Sequence, residues 1–102
     1  MAGRTSVPDG RITVTVKVFG GLRELLGPAR ITISLPLGSD VERLLAAIAA
    51  THSELSSRLR EGIDRGYVNA LLNGRNVRFL EGMKTRLADR DSVAFLPPVG
   101  GG

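Results

Sequence analysis

Two stretches with the period of a β-strand, joined by too few residues to hold a crossover, constrain this chain more than any other feature. From Ile12 to Phe19 apolar and polar side chains alternate, which puts Ile12, Val14, Val16 and Val18 on one face of a half-buried strand. Arg30 to Leu35 alternates in the same way. A parallel connection needs a dozen or more residues, usually including a helix, so the two strands are predicted to pair antiparallel. Gly20-Gly21 breaks the first strand, and Leu22 to Pro28 reads as a short helical turn closed by Gly27-Pro28. The glycine pair beside Arg23 has the spacing of neither nucleotide-binding fingerprint, so it is read as a turn.

The period then changes. Pro36-Leu37-Gly38 ends the second strand, and Ser39-Asp40-Val41-Glu42 has the form of a capping box, with Ser39 and Glu42 satisfying the first free N–H groups of a helix. Val41, Leu44, Leu45, Ile48 and Ala49 recur at helical spacing, so one face of the segment to about Thr51 packs on the sheet. Ser53 to Glu61 reads as a shorter second helix with Gly62 as its stop, and Ile63 to Gly66 as a connection. Asn73-Gly74, both tolerant of positive φ, joins strands predicted at Tyr67–Leu72 and Asn76–Leu80. Gly82 through Thr85 is a loop, Leu87 anchors a turn, and Asp89-Arg90-Asp91 turns the chain into a last strand, Ser92 to Leu96. The result is an α+β fold: a mixed sheet of about five strands with one main helix packed across one face. The other face, with Thr13, Thr15, Lys17, Thr32 and Ser34, is polar enough to stay wet, while Phe19, Tyr67, Phe79 and Phe95 fall where core positions are expected.

At 102 residues the chain reads as one domain. Residues 1–10 are predicted to be a flexible extension, 11–96 the folded body and 97–102 an extended glycine-rich tail. The first ten residues contain no apolar signal-peptide core and no run is long enough to cross a membrane, so the expected location is the cytoplasm. The net charge of +4 comes from arginines spread over the whole length, which describes a solvated surface rather than a nucleic-acid or membrane partner. His52 has no second ligand at a useful spacing, and Asp89 and Asp91 lack further oxygen ligands, so no metal site is predicted. Cysteine is absent, which removes disulfides, thiolate metal sites, persulfides and thiol nucleophiles together.

The last residues are the candidate site. After the apolar strand come Pro97 and Pro98, which cannot continue a central strand and point the chain off the sheet. Val99, Gly100, Gly101 and Gly102 follow, a thread without side chains at its end that spans roughly 13 Å when extended. By composition alone it equally describes a frayed terminus. A strand that reaches a Pro-Pro joint within two residues argues for a built feature.

Phe19-Gly20-Gly21-Leu22-Arg23-Glu24, Asn73-Gly74, Leu87-Ala88-Asp89-Arg90-Asp91 and Pro97-Pro98-Val99-Gly100-Gly101-Gly102 together resemble the MoaD/ThiS sulfur-carrier family of ubiquitin-like, β-grasp proteins, which includes the small subunit of molybdopterin synthase. The likeness runs from about Ile12 to Gly102, and the Pro-Pro-Val-x-Gly-Gly ending is its most specific part. Leu80-Glu81-Gly82 and Thr85 look like the longer, archaeal-type form. Four positions depart from the family pattern: Gly100 for Ser or Ala, Arg90 for the Gly of Asp-Gly-Asp, and Gly20-Gly21 for a bulkier pair.

The resemblance implies that Gly102, with Gly101, is the working residue. An E1-like enzyme would use ATP to adenylate its carboxylate, and a persulfide donor protein would convert it to a thiocarboxylate. The large subunit of molybdopterin synthase would then receive the sulfur. No cofactor is bound by the chain itself, and catalysis by the chain alone is not expected. The candidate partner-binding residues, read from the chain itself, are Phe79 and Leu96 at the edge of the exposed face near the last strand, together with Pro97, Pro98, Val99 and Gly100. Arg75, Arg78 and Arg86 are candidates for steering an acidic partner. The alternatives are a ubiquitin-like modifier joined to lysines through Gly102, a sulfur carrier for thiamine or cysteine, and a binding module whose tail is idle.

Overall fold

A computed structural model describes residues 10–28 and 30–97. Its strands are β1 (Arg11–Val18), β2 (Arg30–Pro36), β3 (Asn69–Leu72), β4 (Arg75–Asn76) and β5 (Ser92–Leu96), with helices α1 (Arg23–Leu26), α2 (Val41–Thr51) and α3 (Ser53–Arg65). The alternation of β1 is realised as read: Ile12, Val14, Val16 and Val18 are buried, and β1 pairs antiparallel with β2 from Arg11–Pro36 to Lys17–Arg30. β5 lies on the other side of β1 and parallel to it, giving the order β2-β1-β5-β3-β4. The core sits between the sheet and the two long helices, where Leu44, Leu45, Ile48, Leu55 and Leu59 meet Val14, Val16, Val93 and Phe95.

The start of α2 differs from the capping box. Asp40, not Ser39, is the N-cap, and its carboxylate accepts from the Arg43 N–H at 2.9 Å. Ser39 is buried, and its hydroxyl donates to the Pro36 carbonyl at 2.7 Å, holding the turn that leaves β2. Glu42 instead pairs with Arg60 of α3 at 2.8 Å, and Ala49 is exposed rather than on the packed face. Neighbouring Ser, Asp and Glu all suit a helix start, so the local sequence does not decide which one caps.

Gly62 does not stop α3. It is buried inside the helix, which continues to Arg65 and ends at Gly66 with φ 82°. A Cβ on Gly62 would overlap Val68 Cγ2 and stand 3.0 Å from Val68 Cβ, so the missing side chain serves a close approach. The Gly62 carbonyl accepts from both the Tyr67 and Val68 N–H groups, which turns the chain back toward β3. The third strand therefore begins at Asn69 rather than Tyr67.

The hairpin turn at Asn73 (φ 50°) and Gly74 (φ 89°) has the two positive φ values its residues favour. The strand predicted at Asn76–Leu80 stops at Asn76, however, and Val77–Phe79 form a 3-10 turn. The Asn76 side chain accepts from the Arg78 N–H at 3.0 Å, a local bond that competes with the sheet ladder. The aromatic residues also depart from expectation. Phe95 is 1% exposed, whereas Phe19 is 47%, Tyr67 64% and Phe79 81% exposed.

Candidate functional site

The tail's root is held by three elements. β5 runs between β1 and β3 with Phe95 buried, and the Phe19 N–H donates to the Phe95 carbonyl at 3.0 Å, extending the parallel pairing just past Val18. The next residue on the β1 side, Gly20, has φ 77°, and a Cβ there would stand 3.4 Å from Pro97 Cγ. Positive φ accounts for the glycine at position 20, and a Cβ there would meet the Pro97 ring in ordinary van der Waals contact. Gly21, with no atom within 4 Å of its would-be Cβ, has no such reason.

The last turn before β5 is tied to the same edge. The Asp89 carboxylate accepts from the Thr13 N–H at 2.7 Å, and Asp91 accepts from Ala88 N–H and the Asn73 amide at 2.7 and 2.9 Å. The Asn73 side-chain oxygen in turn accepts from the Ser92 N–H at 2.9 Å. Arg90 between them has φ 73°, so the turn keeps the left-handed geometry that a glycine would take more cheaply. Both aspartates are thus occupied in fixing where β5 starts. His52 lies at the α2–α3 junction with its Nδ1 2.8 Å from the Thr51 hydroxyl, and among the described residues no group of three or more His, Cys, Asp or Glu could hold a metal ion.

Register fixes what the uncovered face presents. Arg30, Lys17, Ala94, Leu71 and Asn76 are cross-strand partners in one row across all five strands. The adjacent row, Ile31, Val16, Val93, Leu72 and Arg75, points to the opposite, helix-covered side, where Val16 and Val93 are fully buried. Leu96 returns to the uncovered face. There it lines a groove of about 380 Å³ with Lys17, Phe19, Leu71 and Ala94. A second groove of about 440 Å³ on the helix side is lined by Leu22, Leu59, Tyr67, Val68 and Pro97. Phe19 and Leu96 border both, so the end of β5 stands between two concave surfaces.

Of the residues singled out from sequence, Leu96 and Pro97 stand together at this root. Phe79 is exposed on the 3-10 turn after β4 and lines neither groove at Leu96. Pro98, Val99, Gly100, Gly101 and Gly102 lie outside the described residues, as do residues 1–9. Arg75 belongs to the helix-side row, and Arg86 pairs with Asp40 through an isolated antiparallel backbone β-bridge by the start of α2. Gly20, Leu71 and the Lys17–Arg30 pairing were missed. The alternation already placed Lys17 on the wet face, but only the register puts Arg30 beside it.

The sequence model of the ThiS family matches residues 16–102. The chain belongs to the ThiS family. It is similar to small archaeal modifier protein 3 of Haloferax volcanii, 38% identical over 85% of this chain and 96% of that protein. It is also 35% identical to the molybdopterin synthase sulfur carrier subunit of Chlamydomonas reinhardtii, over 87% of this chain and 98% of the other. Among solved structures, Mycobacterium tuberculosis CysO superposes with a TM-score of 0.71 at 33% identity, covering 84% of this chain and 99% of that one. CysO in the Amycolatopsis orientalis BexX/CysO complex does so with a TM-score of 0.68 at 26% identity, covering 87% and 99%. The fold is therefore the ubiquitin-like β-grasp, and the chain is a sulfur-carrier or small-modifier type protein whose structural neighbours include members of protein complexes. Among its described residues, no helix is long and apolar enough to cross a membrane.

Proposed function

We propose that this ThiS-family protein carries sulfur as a thiocarboxylate on Gly102 and gives it up in molybdopterin synthesis. The observation that carries the reading is the family match through residue 102, joined to a β5 strand that Phe19 holds at Phe95, two residues before Pro97. The similarity to the Chlamydomonas subunit along nearly its whole length supports molybdopterin as the destination.

The chemistry needs an external activator. A C-terminal carboxylate, with an ordinary pKa of about 3.5, is ionised at neutral pH and a poor electrophile. An E1-like partner joins it to the AMP of ATP with release of pyrophosphate. The persulfide of a donor protein displaces AMP to form an acyl disulfide, and a second thiol cleaves that to the thiocarboxylate. Glycine at the end suits a narrow channel, because backbone alone has to enter. The chain has no cysteine, so its own side chains offer no thiol for the sulfur. The partner-binding surface is the uncovered face at Leu96 and Pro97, from which the sequence continues through Pro98, Val99, Gly100 and Gly101 to Gly102. The outlying Phe79 is a separate contact.

Mass spectrometry of intact protein co-expressed with its activating enzyme tests this. The expected product has one oxygen of Gly102 replaced by sulfur, and co-purification of a molybdopterin synthase large subunit identifies the acceptor. Recovery of the carboxylate form alone, with ATP and a sulfur source supplied, overturns the reading. The similarity to archaeal modifier protein 3 favours a second reading, conjugation of Gly102 to lysines of other proteins. That one predicts stable conjugates on denaturing gels that vanish when Gly102 is deleted. A carrier for thiamine or cysteine shares the activation step and differs in the acceptor that co-purifies.

A further inference from the structure

Lys17 and Arg30 are direct cross-strand partners on the uncovered face of the sheet. Side chains at such positions stand on the same face with Cβ atoms about 4.5–5.5 Å apart, and like charges there destabilise the pair. Among the described residues nothing in this row relieves the repulsion. The row continues on the other side of Lys17 through Ala94, Leu71 and Asn76, without a carboxylate. Neither cation takes part in a salt bridge among the described residues, where the bridges join Glu54–Arg58, Glu42–Arg60 and Glu61–Arg65. Among the described residues, Lys17 is the one charged residue lining the groove that Leu96, Leu71 and Ala94 make apolar.

We propose that this cationic pair is a recognition element for the adenylating partner, which sets a carboxylate against Lys17 and Arg30 and an apolar side chain over Leu71, Ala94 and Leu96. The inference rests on the carrier reading above and names the chemistry of the partner's surface. The tail limits where that partner can sit. Pro98 to Gly102 span about 17 Å at full extension, so a protein acting on Gly102 has to seat close to Leu96. Activation is the step common to sulfur transfer and to conjugation, so the activator is the occupant the tail requires in either case. An acidic group placed over the pair converts an internal repulsion into two attractions. The fold bears the repulsion, and the complex removes it.

This gives a signature of opposite signs. In ATP–pyrophosphate exchange with the E1-like protein of the same organism, Lys17→Gln should raise the KM for the carrier about 3- to 10-fold, leave kcat unchanged and flatten the salt dependence. The same substitution should raise the carrier's own Tm by about 1–6 °C, because the repulsion is gone. Arg30→Glu supplies Lys17 with an internal partner, so it should raise both Tm and KM further. Arg43→Gln, at the start of α2 on the helix side, removes the same charge elsewhere and should leave KM unchanged. KM values within twofold of wild type for Lys17→Gln and Arg30→Glu, an equal rise for Arg43→Gln, or a fall in Tm each overturn the proposal. If the wild-type chain itself supports no exchange, the carrier reading fails and this inference falls with it. Exchange by wild type with indifferent variants removes the inference alone.

Discussion

At Gly62 helix propensity and packing pull in opposite directions, and the magnitudes decide between them. Alanine is favoured over glycine inside a helix by about 1 kcal/mol. The added Cβ, however, would overlap Val68, whose backbone N–H is already bonded to Gly62. Overpacking of this kind costs about 1–3 kcal/mol, so Gly62→Ala should lower stability in urea unfolding, and adding Val68→Ala should restore most of the loss. Arg90 presents the reverse case. A non-glycine residue at φ 73° costs about 1–2 kcal/mol, and glycine gives back part of that gain through its greater unfolded-state entropy. Arg90→Gly should therefore stabilise by about 0.5–1 kcal/mol, seen as a higher urea midpoint at unchanged slope. The two glycine signals at positions 20 and 62 were visible in the sequence as turn or stop. Their reason was not, because the positive φ of Gly20 and the close approach of Val68 to Gly62 exist only in the fold.

The helices and strands themselves follow from short-range pattern. Period-2 alternation found β1 and β2, the 3.6 period found α2, and Asn73-Gly74 found the hairpin, because each is a property of neighbours in sequence. Their ends were less legible, since several residues compete for the same local role. At the head of α2 the competition has a measurable outcome. Asp40→Ala removes the side chain that accepts from Arg43 and should cost about 1 kcal/mol. Glu42→Ala breaks an exposed pair with Arg60 and should fall below that in thermal unfolding; equal losses would restore the capping box. At β4 the Asn76 side chain ends the strand after two residues, and with it the expected burial of Phe79. A phenylalanine in an apparently alternating run carries no sign that the run has stopped.

For the molecule as a whole, truncation tests the body and the tail apart. The buried core lies between Ile12 and Phe95, so deleting Gly101 and Gly102 should leave the Tm of the body unchanged while abolishing pyrophosphate exchange and thiocarboxylate formation. A fall in Tm would mean that the tail contributes to the fold. By itself the sequence determined that β1, β2, β5 and α2 lie where they do, which face of β1 is buried, and that an apolar strand is followed by Pro-Pro, a valine and three glycines, all of them consequences of local periodicity and backbone chemistry. Only the tertiary structure decided that β5 enters parallel between β1 and β3, that Gly20 faces Pro97, and that Arg30, Lys17, Ala94 and Leu71 share one row. Those facts depend on which strands become neighbours and in what register, and that choice is made by burying the apolar faces of distant segments together, which no window along the chain contains.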